Sequence, residues 1–171
     1  MSQLMALALS IGILGGIATW LFLAVGGVLI WAAFIAAACY FQAGADNNAL
    51  KNTIVSNVFG SFSGWLTAMI ILSVSVDLTK GLWEGIVVLV TVFGTIYASK
   101  VPALGLIPGN VYGYAATFAF LLQTPDALTT ANLTSFSWSN AFLAVSVSMV
   151  LGAVYGMVSG KVAGMLTAKA A

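Results

Sequence analysis

The chain has no histidine and no arginine, it has one cysteine, and only nine of its 171 residues carry a formal charge. Each shortage closes off a kind of chemistry. Without imidazole there is no general base poised near neutrality, no imidazole proton shuttle and no His metal ligand. A lone cysteine excludes an intramolecular disulfide, a Cys-x-x-Cys pair and a Cys-based metal cluster. That cysteine, Cys39, follows Ala36, Ala37 and Ala38 and reads as a small apolar filler. Lacking guanidinium groups, the chain has no means of bidentate phosphate or carboxylate capture. Its net charge of +1 provides no basic surface, so nucleic acid is not expected as a partner. Serine, threonine and tyrosine hydroxyls remain, but nothing evident would activate them. No enzyme activity, cofactor or metal is therefore expected.

What the chain does contain is apolar. Hydrophobic residues make up 61% and charged residues 5%, against roughly 25% charged in soluble domains. This is the composition of an integral membrane protein, with the lipid bilayer as its principal partner. No charge occurs between Leu4 and Phe41. A single helix over that stretch would be roughly 57 Å long, nearly twice the ~30 Å hydrocarbon core. The chain must turn back, and Gly26-Gly27 is the natural place. No lysine precedes the first apolar segment, so it reads as a retained span and not as a signal peptide.

The expected fold is an all-α integral membrane protein, one polytopic domain over 1–171. Its six transmembrane helices fall at about 4–23, 28–41, 54–76, 84–99, 103–122 and 140–160. Trp20, Trp31 and Tyr40 sit where amphipathic rings favour the membrane surface. The 84–99 segment is short for a perpendicular crossing. Six spans place both termini on one side with Lys51, Lys100, Lys161 and Lys169, leaving Lys80 opposite. By the positive-inside bias that side is the cytoplasm.

The fifth span carries the most unusual stretch. Leu106 to Phe118 reads Leu-Ile-Pro-Gly-Asn-Val-Tyr-Gly-Tyr-Ala-Ala-Thr-Phe, with Pro108 and Gly109 interrupting an apolar run. Proline removes a backbone donor and clashes with the preceding turn, and glycine admits a second backbone. A break at membrane depth is tolerated only against protein or a wet cavity. The span is therefore expected to be broken or kinked, either lining a solute path or packing tightly on a neighbour.

Small residues also recur every fourth position. They are Gly152, Gly156, Gly160 and Gly164 on the sixth span, and Ser56, Gly60, Gly64 and Ala68 on the third. Gly105, Gly109, Gly113 and Thr117 continue the pattern on the fifth, with Gly12 and Gly16 a shorter case on the first. Such rows let helices approach closely in lipid, and one of them could face a second copy of the chain in a homo-oligomer.

Taken in order, these features resemble a known group. They are Gly12-Ile-Leu-Gly-Gly-Ile17, an alanine-rich second segment bounded by aromatics, and Ala49-Leu50-Lys51 leading into the third. Ile107-Pro108-Gly109 follows, then Gly113 and Ala116-Thr-Phe-Ala119. The chain is similar to the YcdZ-like bacterial inner-membrane proteins, a domain of unknown function. The resemblance implies a six-span, multi-pass protein of the bacterial inner membrane and supplies no substrate.

In this topology no charged residue lies at mid-membrane, which argues against a proton-driven carrier. The groups at depth are neutral and hydrogen-bonding. Asn57-Val-Phe-Gly60 and Asn110-Val-Tyr-Gly113 are near copies on spans running the same way, so their two amides could meet at a constriction. Alternatively, each asparagine caps a backbone break or bonds across helices. Trp65, Tyr112, Tyr114 and Phe118 could form an aromatic gate, or serve as packing and surface anchors.

The expected function is a passive channel or facilitator for a small neutral solute such as urea, ammonia, a short amide or water. Asn57, Pro108, Gly109, Asn110, Tyr112 and Thr117 would line its path. The alternative is a structural or accessory membrane subunit that packs through its glycine rows into a homo-oligomer or larger complex.

Overall fold

The computed structural model describes residues 1–168 apart from 75, 77 and 80. Lys80 and Lys169, used above to orient the chain, lie outside the described residues. Among these residues the protein is all-helical: α1 (Gln3–Val25), α2 (Ile30–Gln42), α3 (Asn47–Ser73), α4 (Leu82–Tyr97), α5 (Ile107–Gln123), α6 (Thr130–Thr134) and α7 (Ala141–Ala168). Two single 3-10 turns, Ala98–Lys100 and Pro102–Leu104, join α4 to α5.

Local chemistry explains most of the helix starts. Ser2 accepts from the Met5 N–H ahead of α1, and Asp46 accepts from the Ala49 N–H ahead of α3 at 2.6 Å. Asn140 caps α7, its Oδ1 accepting from the Phe142 and Leu143 N–H groups at 3.0 and 3.4 Å. These side chains replace the partners that the first backbone donors of a helix lack. Gly26 and Gly27 both have positive φ, 74° and 76°, a conformation that suits glycine, and they separate α1 from α2.

Four helices are long and apolar enough to cross a membrane: Gln3–Val25, Asn47–Ser73, Leu82–Lys100 (α4 with its 3-10 extension) and Ala141–Thr167. The other two segments expected to span are shorter. The 13 residues of α2 and 17 of α5 extend roughly 20 and 26 Å, less than the ~30 Å hydrocarbon core.

Contacts fix the relative directions. Along α1 and α7, Ser10 meets Ser159 and Ile11 meets Tyr155, so they run antiparallel. On α2 and α7, Ala33 faces Gly152 and Ala37 faces Gly156, so they run parallel. The α3 and α5 helices are also parallel, Asn57 facing Gly113 and Gly64 facing Thr117. Antiparallel pairing of α4 with α5 follows from Thr91 beside Tyr114 and Ser99 beside Asn110. The α3 and α7 helices meet where Phe62 and Trp65 reach Phe142. The longer helices thus alternate in direction, and Gln3 of α1 and Thr167 of α7 line one surface cavity of about 310 Å³.

The fifth segment differs from expectation in one respect. Pro108 stands in the first turn of α5 and does not kink it. There its missing N–H costs nothing, since that donor would have no partner in the helix. The interruption falls earlier, at Gly105 and Leu106, between the second 3-10 turn and α5. Gly105 therefore lies outside α5 and does not continue the row of Gly109, Gly113 and Thr117. Gly164, on α7, has nothing within 4 Å of where a Cβ would stand, and Gly160 has only ordinary contacts there. The tight portion of that row is Gly152 and Gly156.

Ala33 and Ala37 of α2 are buried against Gly152 and Gly156 of α7. The main cluster joins Ala32 and Ala36 of α2, Ala116, Phe120 and Leu121 of α5, Ala144, Val145 and Met149 of α7, and Leu133 of α6. The segment between the fifth and sixth expected spans, 123–139, thus contains a five-residue helix whose Leu133 is fully buried. The Leu133 carbonyl accepts from Trp65 Nε1 at 2.8 Å and from Asn140 Nδ2 at 2.9 Å.

Candidate functional site

The site is the crossing of α3 and α5. Thr53, Ser56, Asn57, Gly60, Ser61 and Gly64 recur at spacings of three and four, so they share one face of α3. All are buried. On α5 the facing residues are Gly109, Asn110, Gly113 and Thr117, also buried. The two Asn-Val-aromatic-Gly elements meet here in a reciprocal way. A Cβ built on Gly60 would stand 1.9 Å from the Asn110 carbonyl oxygen, and one on Gly113 would stand 2.0 Å from the Asn57 carbonyl oxygen. Each glycine is thus seated on the backbone of the other element's asparagine. One step further along, a Cβ on Gly64 would lie 3.0 Å from both the Thr117 Cβ and the Tyr114 carbonyl oxygen. Exchanging each α3 residue for its counterpart in α5 reproduces the reciprocal pair, so the crossing has an approximate two-fold axis running between the helices.

Backbone approach this close brings side-chain dipoles together. The Ser61 and Thr117 hydroxyls lie 2.9 Å apart, and Thr117 also donates to the Gly113 carbonyl at 3.0 Å. Asn110 Nδ2 donates back across the break, to the Leu104 carbonyl at 2.9 Å and Ser99 Oγ at 3.1 Å. This amide therefore closes the irregular segment ahead of α5. Its Oδ1 has no protein partner, and neither do Asn57 Oδ1 and Nδ2 or Ser56 Oγ. The residues carrying these atoms are all fully buried. A buried polar group without a partner costs about 1–3 kcal/mol.

Not every residue expected on the path belongs to this cluster. Gly109 lies beside the Asn57 amide, whereas the Asn110 amide turns back to Leu104 and Ser99, and Thr117 lies two turns along α5. Pro108 contributes the start of the helix and no contact to the amides. Tyr112 turns toward α2, its hydroxyl donating to Gln42 Oε1 at 3.0 Å. No aromatic gate forms from the set proposed. Tyr114 pairs with Phe118 (ring centroids 5.2 Å apart) and touches Thr91, whereas Trp65 stacks on Phe62 and holds α6. Ser56 is the member absent from the expected path, and its place next to Asn57 on the small-residue face of α3 was the available signal.

No charged side chain is among the buried residues described, and no cluster of three or more potential metal ligands occurs among them. The lysines described, Lys51, Lys100 and Lys161, are not buried. Lys100 lies 4.1 Å over the Tyr97 ring, with its Nζ donating to the Tyr97 hydroxyl at 2.9 Å.

Fold and site together define an all-helical protein of membrane type with a neutral, hydrogen-bonding crossing buried in its interior. Residues 8–164 match the family described as "Protein of unknown function (DUF1097)", and the chain belongs to that family. Neither a curated protein nor a solved structure matches the chain significantly.

Proposed function

We propose that this protein is a passive conduit for a small neutral solute in the bacterial inner membrane. In this reading all six longer helices cross the bilayer, as the resemblance to the YcdZ-like proteins implies, and both termini are cytoplasmic. One observation carries it: partnerless polar atoms on fully buried side chains of both helices, Ser56 and Asn57 on α3 and Asn110 on α5. Neutral dipoles stabilise a neutral guest, whereas a bare ion would pay a large desolvation cost without a counter-charge. The alternation of helix direction and the shared position of Gln3 and Thr167 support termini on one side. The positions of Lys51, Lys100 and Lys161 support calling that side cytoplasmic.

The test is stopped-flow permeation in proteoliposomes, with water, ammonia, urea, acetamide and glycerol as solutes. At least one should equilibrate several-fold faster than in protein-free vesicles, and Asn57→Leu should remove the gain. Rates equal to protein-free vesicles for the whole set would defeat the reading.

A structural or accessory subunit is the second reading. Gly12 and Gly16 of α1 and Gly164 of α7 have nothing within 4 Å of the place a Cβ would occupy, so small residues stand open on the outer surface where another helix could dock. A stoichiometric partner retained through purification, or a homo-oligomer lost on Gly16→Leu, would support it.

A further inference from the structure

We infer that the α3–α5 crossing is a binding site for a neutral hydride with one heavy atom, ammonia or water, and that it excludes urea, amides and glycerol by size. This rests on the conduit reading above and narrows it to a solute class. The first observation is chemical. Asn57 presents both an unpaired acceptor, Oδ1, and an unpaired donor, Nδ2, and Ser56 adds a hydroxyl that does either. At the start of α5, the Ile107 and Asn110 N–H groups are bonded to the Gly105 and Leu106 carbonyls and Pro108 has none. The Gly109 N–H is then the donor left over, at the end of the helix that favours a lone pair. A guest here must donate to Asn57 Oδ1 while its lone pair faces Gly109 or Asn57 Nδ2. Ammonia and water each do so, and a buried water typically makes about three such bonds.

The second observation is steric and independent of the first. A Cβ on Gly109 would come within 2.8 Å of the Ser56 Cβ, 3.3 Å of the Leu106 Cδ2 and 3.4 Å of Asn57 Oδ1. The helices are therefore in near contact at Gly109, which leaves no room there for a guest of several heavy atoms without movement. Urea, with four heavy atoms in a plane, cannot enter beside Asn57 unless α3 and α5 separate. That separation is resisted by the backbone contacts at Gly60 and Gly113, one turn away.

The experiment compares solutes and variants in the same proteoliposomes. Osmotic shrinkage reports water, an internal pH dye reports ammonia, and shrinkage followed by reswelling reports urea and glycerol. Water or ammonia should exceed protein-free vesicles several-fold, with urea and glycerol indistinguishable from them. Gly109→Ala should bring the faster solute back to the protein-free rate. Because that variant adds bulk, Asn57→Leu, which adds none to speak of, is measured beside it. Helical circular dichroism confirms that both fold, and Gly16→Ala serves as the unaffected control. Faster ammonia, faster water or both supports the inference, the pattern identifying the guest. Urea or glycerol flux above protein-free vesicles leaves the conduit standing and overturns the size limit. Ammonia or water flux that survives both Gly109→Ala and Asn57→Leu in folded protein also overturns the site. If no solute exceeds protein-free vesicles, the conduit reading falls and takes this inference with it.

Discussion

Adding one methyl group at Gly113 should separate α3 from α5. The new Cβ would lie 2.0 Å from the Asn57 carbonyl oxygen, 2.7 Å from the Ser61 nitrogen and 2.9 Å from the Asn57 carbonyl carbon. All three atoms are backbone, so no side chain can swing aside. Real Cβ contacts essentially never fall below 3.0 Å, so the helices must part by at least about 1 Å, which forfeits a quarter to a half of the dispersion well at each contact they share. The Ser61–Thr117 hydroxyl pair, 2.9 Å apart, would be stretched beyond useful bonding as well. Overpacking typically costs about 1–3 kcal/mol, and with a rigid obstacle we place Gly113→Ala at about 3 kcal/mol. The assay is the free energy of unfolding in mixed micelles titrated with SDS, followed by helical circular dichroism. Gly16→Ala, where nothing lies within 4 Å, is the control and should be neutral or slightly stabilising, since alanine favours helix. Combining Gly60→Ala with Gly113→Ala should cost less than the two separately, because both demand the same displacement. A Gly113→Ala protein within about 0.5 kcal/mol of wild type would refute the close crossing.

Other expectations follow from single contacts. Thr117→Val keeps shape but orphans the Ser61 hydroxyl and should cost about 1 kcal/mol in the same titration; Ser61→Ala added to it should recover part of that loss. Asn140→Ala removes the α7 cap together with two bonds to the α6 segment, at 2.9 and 2.8 Å, for about 2 kcal/mol. Trp65→Phe deletes the donor to the Leu133 carbonyl. It should raise hydrogen exchange over residues 128–135 while leaving exchange in α3 unchanged.

The sequence exposed the apolar, membrane-type composition and the helical class, because composition and four-residue spacing report directly on burial; of the two readings offered for Asn110, its amide takes the one that bonds back across the break. The sequence was less informative where tertiary context chose between readings. Pro-Gly is compatible with a kink or with a helix start, and only the preceding 3-10 turns decide for the start. Gly105 and Gly164 fit the four-residue rule, yet one lies outside its helix and the other faces outward, since spacing does not say which face has a partner. Leu133 in a polar stretch carried no periodic signal, so α6 was read as loop. Ser56 fits the small-residue row as a packing position, and only its contact with Gly109 shows it beside the Asn57 amide.

Whatever accompanies the Asn57 side chain in a bilayer decides whether the crossing holds a guest. An experimental structure in lipid nanodiscs, at a resolution that shows ordered solvent, measures this directly. A guest site predicts compact density within hydrogen-bonding distance of Asn57 and the first turn of α5. A dry crossing in which Asn57 Oδ1 and Nδ2 both bond to protein atoms would contradict it.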